Sequence, residues 1–199
     1  MPKAVHWISK RNQLLVLINP VRHEIVDRLT ALGPLSARDL ARTLGRKQTA
    51  IYQHLRTLEK AGLILKQGAS KRRGAAAVYA PIAALVRLAR APEHPAHRPI
   101  MSRMARTVSA QAARDYARGF HSPHWKLHGP SRNHWFFRLV SAPSKKRLAR
   151  INALLDELAE LVWTPDPKPG TLIHVAWFMS PGSSFPNVSK LGPRSGVEV

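Results

Sequence analysis

The chain has 199 residues, of which 32 are Lys or Arg, 11 are Asp or Glu and none is Cys. A formal net charge of +21 and a pI of about 11.6 point to polyanionic partners, nucleic acid first and an anionic membrane surface second. The missing cysteine excludes a disulfide framework, a thiolate zinc site and a cysteine nucleophile, and no run nears the ~20 apolar residues that span a bilayer.

Residues 1–19 read as an amphipathic lead-in carrying Trp7, Ile8, Leu14, Leu15, Leu17 and Ile18. Its apolar run, 14–18, is ended by Asn19-Pro20 before a signal-peptide core could form, which predicts a soluble, cytoplasmic protein. Pro20 suits a first helical turn, and Val21, Ile25, Leu29 and Leu32 follow at helical spacing up to Gly33-Pro34. Ser36, with Asp39 three residues on, is the signature of a capped helix over 36–44, with Leu40, Ala41 and Leu44 inward and Gly45 at its end. A third helix over 47–61 has Ile51, Leu55 and Leu58 on one stripe and Gln48, Thr49, Tyr52, Gln53 and Arg56 on another face. Beyond Ala61-Gly62-Leu63, two extended runs flank a basic, Gly-bounded segment at 68–74, the pattern of a β-hairpin. Helix, helix, turn, helix, hairpin is the order of a winged helix-turn-helix.

Residues 91–99 contain Pro92, Pro95 and Pro99 and read as a linker. A second unit, 100–180, then predicts a helix over 100–119 with Ile100, Met104, Val108 and Tyr116 partly on a stripe, and a strand over the aromatic-rich 134–140. A helix over 144–163 follows, and a buried strand over 171–179. Leu148, Ile151, Leu155, Leu158 and Val162 alternate at steps of three and four, the seam of a coiled coil. Asp156, Glu157 and Glu160 form an acidic cluster on its outer face, and residues 181–199 read as a flexible tail. The fold class expected is therefore α+β: a winged helix-turn-helix domain over 1–90 and a smaller α+β unit over 100–180 that dimerises or binds an effector.

The segment 35–64, LSARDLARTLGRKQTAIYQHLRTLEKAGLI, resembles the winged-helix core of ArsR-like transcriptional regulators. The shared elements are Leu40-Ala41 and Leu44-Gly45 before the turn, then His54-Leu55, Leu58 and Ala61-Gly62-Leu63. Tyr52 is similar to a branch of that family with tyrosine where many members have serine. MarR-like and PadR-like regulators share much of this core, and the resemblance spans roughly residues 15–90. The cysteine ligands of the metal-sensing members cannot exist here. The resemblance implies a bacterial DNA-binding regulator whose appended unit dimerises, binds an effector, or does both.

Function follows from the face the third helix offers. The major groove admits an α-helix whose side chains reach base edges: glutamine pairs with adenine and arginine with guanine. The residues expected to bind DNA are Arg46, Lys47, Gln48, Thr49, Tyr52, Gln53 and Arg56, with Lys71, Arg72 and Arg73 of the hairpin tip on the backbone or a flanking groove. His54, beside the buried stripe, reads as structural. Residues 1–99 hold 18 Lys and Arg against 5 Asp and Glu, and the remainder 14 against 6, which centres the DNA surface in the first half. The expected protein is a homodimeric repressor acting on double-stranded DNA in the nucleoid, with no membrane partner, cofactor or metal. A non-specific architectural or RNA-associated binder is the alternative.

His121, His124, His128 and His134 lie close together, yet Pro123, Gly129 and Pro130 predict a loop, and no Asp or Glu stands between residues 116 and 155 to complete a metal site. Trp125, Trp135, Trp163 and Trp177 read as core, or as the lining of an effector pocket. No Walker loop, nucleophile elbow, zinc-protease or dinucleotide motif is present, so no enzyme is expected.

Overall fold

Local capping chemistry sets many element boundaries in the computed structural model, which describes residues 3–68, 77–88, 95–164 and 170–180. In chain order, β1 (Lys3–Ile8) and α1 (Arg11–Leu17) precede α2 (Pro20–Leu32), β2 (Leu35–Ser36), α3 (Ala37–Thr43) and α4 (Gln48–Lys60). Strands β3 (Ile64–Gln67), β4 (Val78–Pro81) and β5 (Ala83–Leu88) follow, then a 3-10 turn (Pro95–His97), α5 (Arg98–Gly119) and α6 (Lys145–Trp163). Asn19 caps α2, its Oδ1 accepting from the amides of Val21 at 3.1 Å and Arg22 at 3.3 Å, with Pro20 in the first turn. The Ser36 hydroxyl caps α3 as expected: it accepts from the Asp39 amide at 3.1 Å and donates to Asp39 Oδ2 at 2.7 Å.

The centre of the core is helical. Ile25 and Leu29 of α2, Leu40 of α3, and Ile51, Leu55 and Leu58 of α4 pack with Leu63 and Ile64, none more than 1% exposed. Burying a side chain of this type contributes ~1.5–3 kcal/mol relative to leaving it in water. Strand β4 lies between β2 and β3, antiparallel to both, with Leu35 opposite Tyr79 and Gln67 opposite Val78. Three helices carrying a small antiparallel sheet make up a winged helix-turn-helix, the fold and the α+β class the sequence predicts. The hairpin tip that carries Lys71, Arg72 and Arg73 lies outside the described residues.

Two parts of this half depart from the reading. The lead-in contains a strand: β1 pairs parallel with β5, in register from Lys3 opposite Ala83 to Ile8 opposite Leu88. The linker expected through residue 99 ends earlier, because Arg98 and Pro99 already belong to α5. Proline in the first turn lacks only an N–H that would have no intrahelical partner there, so Pro99 opens the helix where it was expected to exclude one. Ile100 and Met104 of α5 enter the same core as α2 and α4, and Thr107 Oγ1 donates to the Ile18 carbonyl at 3.1 Å.

The later half differs more. The segments 134–140 and 171–179, expected as strands, run without ladder pairing. Trp125, Trp135, Trp163 and Trp177, expected as core, are each more than a third exposed. Within α6, capped by Ser144 on the Arg147 amide, Ala159 is the buried residue. The segment 170–180 meets the helices through His174, whose Nδ1 lies 3.3 Å from Asp115 Oδ2 of α5 and whose Nε2 lies 3.4 Å from the Arg28 guanidinium of α2.

Candidate nucleic-acid interface

Helix α4 is two-faced because its apolar positions recur at steps of three and four. Ile51, Leu55 and Leu58 are locked in the core, which fixes the roll of the helix about its axis. Gln48, Thr49, Tyr52, Gln53 and Arg56 are consequently exposed, as are Arg46 and Lys47 just before the helix. All seven candidate DNA-binding residues of this segment thus come together on accessible surface. The turn that orients α4 is built on Gly45, at φ +62°; beside it the Arg46 amide donates to the Ala41 carbonyl at 2.9 Å and so ends α3.

Two details bear on what this face can do. Gln48 Nε2 donates to Tyr52 Oη at 2.8 Å, one turn along the helix. The glutamine keeps its Oε1 and a second N–H for a base edge, while the phenol keeps its own proton for a phosphate. The N-cap, Lys47, makes no side-chain capping bond, in contrast to the Asn19, Ser36 and Ser144 caps. First-turn amides without a side-chain cap, beside Arg46 and Lys47, favour an anion such as a phosphate group.

His54 is half-buried on the flank of the stripe. Burial first, then the positive charges of Arg22 and Arg46, hold its imidazole below the ordinary histidine range. The sequence expectation for it is a structural hydrogen bond; what is seen is its place beside the core. Tyr79, on β4, is pushed up first by burial and then by Glu59 and Tyr52, with Arg56 opposing. The sequence reading did not single out three further exposed basic groups on elements that pack against α4: Arg38 and Arg42 of α3 and Lys66 of β3. Arg42 is partly engaged, its Nη2 3.1 Å from Asp39 Oδ1. Helical spacing alone could have found the first two, since neither falls on the Leu40-Ala41 stripe.

The histidine-rich loop does not assemble a centre. His134 stacks on Tyr116 at 4.0 Å and meets Phe120 edge-on at 4.4 Å, inside an aromatic cluster. Among the described residues no group of three or more His, Asp or Glu is placed to hold a metal ion. A groove of about 330 Å³ runs between this loop and the 170–180 segment, lined by His124, Lys126, Asn133 and Ile173 among others, and not by the tryptophans. No helix among the described residues is long and apolar enough to cross a membrane.

Residues 17–67 match the family described as a helix-turn-helix domain, a span that runs from the end of α1 to the end of β3. Among solved structures, the adhesin competence repressor (AdcR) from Streptococcus pyogenes is similar at 15% identity, over 72% of this chain and 81% of that one, with a TM-score of 0.29. An overlap that low carries no argument about this chain. No curated protein matches it.

Proposed function

We propose that this protein is a homodimeric, sequence-specific transcriptional regulator of ArsR-like type, acting as a repressor on double-stranded DNA in the cytoplasm. The helix-turn-helix match over residues 17–67 makes DNA-directed regulation the function class. One observation carries the finer reading: the roll of α4 is fixed by three buried residues, and this puts Gln48, Thr49, Tyr52, Gln53 and Arg56 together on its open face. In this reading α4 enters the major groove, Gln48, Gln53 and Arg56 address base edges, and Arg46, Lys47, Thr49 and Tyr52 hold phosphates. Lys71, Arg72 and Arg73 of the wing follow the flanking groove, and Arg38, Arg42 and Lys66 add charge around the footprint. The region from α5 onward serves dimerisation, with room for a small-molecule effector.

The test is fluorescence anisotropy with duplex DNA from the upstream region of the protein's own gene and with a scrambled duplex, across a salt series. A preference of ~10³-fold or more at physiological salt is expected. Arg56→Ala should reduce that preference by ~1–3 kcal/mol, whereas Arg42→Ala should weaken both duplexes alike and flatten the salt slope. Equal loss on both duplexes for Arg56→Ala removes it from base reading. Binding that is equal on both duplexes and vanishes with salt supports instead the non-specific binder that a net charge of +21 also suits.

A further inference from the structure

Among the described residues, helix α6 carries an apolar stripe that is open to water. Leu148, Leu154, Leu158, Leu161 and Val162 are 38–72% exposed, and Ile151 and Leu155 between them are half-buried. Steps of three and four residues place these side chains along one face of the helix. A contiguous exposed apolar face is the mark of an interaction surface. Phe136, Leu139 and Val140, in the segment that leads into α6, are 75–85% exposed as well.

Charge identifies the partner. The N-terminal half of α6 holds Lys145, Lys146, Arg147 and Arg150; the C-terminal half holds Asp156, Glu157 and Glu160. This order opposes the helix macrodipole, which favours acidic groups at the start and basic groups at the end. The first turn of α6 has no acid and the last turn no base. The arrangement therefore weakens α6 standing alone and fits a partner helix of the reverse polarity. A second α6 running antiparallel is such a partner, since each basic half then lies over an acidic half and the two dipoles oppose. A parallel pair would set basic against basic and acidic against acidic.

We propose that two copies of the chain associate through antiparallel α6 helices, with their apolar stripes face to face and Arg150 of each copy meeting Glu157 of the other. Arg150 and Glu157 are seven residues apart, two helical turns, and so stand on the same flank of the stripe. A two-fold axis passing between Ala153 and Leu154 brings that flank of both copies together and aligns the pair twice. The same axis sets Leu148 of one copy level with Ala159 of the other, one residue from Leu158, and Ile151 level with Asp156, one residue from Leu155. This inference rests on the homodimeric reading above and adds to it the surface, the direction and the register.

Sedimentation equilibrium of the full-length chain over a concentration series tests it, with circular dichroism as the control for folding. The wild type is expected to be a dimer, and Arg150→Glu and Glu157→Arg are each expected to weaken it by about tenfold or more, because each sets like charges opposite one another at two places. Mixing the two single variants restores both pairs in a heterodimer, and the double variant R150E/E157R restores them in a homodimer. Single variants as dimeric as the wild type would overturn the α6 interface while leaving the homodimer standing. Weakened dimers that neither mixing nor the double variant rescues would overturn the antiparallel register. A wild type that stays monomeric at every concentration would overturn both the interface and the homodimer, and would leave the DNA-binding reading to the anisotropy experiment.

Discussion

Replacing Gly45 with alanine isolates the conformational cost of the turn that aims α4. Gly45 sits at φ +62°, and a Cβ added there meets no atom within 4 Å. The substitution therefore brings no clash, and its whole effect is backbone preference. Holding an L-residue in the left-handed region costs ~1–2 kcal/mol, while alanine's stiffer unfolded chain returns ~0.4–1 kcal/mol. The net destabilisation should be about 1 kcal/mol, a fall in melting temperature of roughly 2–4 °C for a chain of this size. Asparagine tolerates the left-handed region better, so Gly45→Asn should cost about half as much as Gly45→Ala. Urea unfolding at neutral pH measures both, read as a shift in midpoint with an unchanged slope. DNA affinity of the folded Gly45→Ala protein should be unaltered, because the turn can keep its shape. A Gly45→Ala protein as stable as the wild type, or an asparagine variant worse than the alanine one, would refute the conformational argument.

Other perturbations test the parts around that turn. Ser36→Ala removes a helix cap and should cost about 1 kcal/mol in the same urea experiment. Asp39 is held below the usual carboxylate range first by the Ser36 hydroxyl and then, against some burial, by Arg42. Its contribution is therefore present above the ordinary carboxylate value and lost as pH falls through the folded value, so the gap between wild type and Ser36→Ala should narrow in acid. For His54 the folded value is depressed, so the unfolded chain takes up the proton first. Stability should fall as pH drops through the ordinary histidine range, and His54→Gln should flatten that part of the curve in urea titrations at stepped pH. Leu55→Ala, at a core position 1% exposed, should cost ~2–5 kcal/mol, seen as a lower urea midpoint.

What was legible in the sequence was whatever local chemistry decides. Asn19-Pro20, the Ser36 and Asp39 pair, and Gly33, Gly45 and Gly62 bound α2, α3 and α4 within a residue or two of where periodicity put them. The hairpin was legible because β3 and β4 are joined through a short polar segment. The pairing of β1 with β5 was not, since their partners lie eighty residues apart and strand propensity names no partner. The same limit explains 134–140 and 171–179. Their aromatic and β-branched content marks a pleated, half-buried habit, yet neither finds a neighbouring strand among the described residues. The tryptophans misled for a related reason, because bulk and apolarity predict burial without saying in whose core. The candidate site was legible on α4, where the buried stripe dictates the open face. Arg38 and Arg42 were legible in the same way, since both fall off the Leu40-Ala41 stripe of α3, whereas Lys66 of β3 had no such pattern to mark it.

The clasp between β1 and β5 has a consequence for how this molecule is made. Lys3 cannot find Ala83, nor Ile8 find Leu88, until everything between them has left the ribosome. At ~5–20 residues per second, eighty residues take roughly 4–16 s to synthesise. For that interval β1 is an unpaired edge, with Trp7 and Ile8 in it, while α2, α3 and α4 can already pack on one another. Parallel pairing at such separation is slow to form because loop closure has to come first. The helices of the winged helix should thus pack before β1 is fastened, and β1 is where a nascent chain of this protein is most open to a chaperone, or to the edge of another copy.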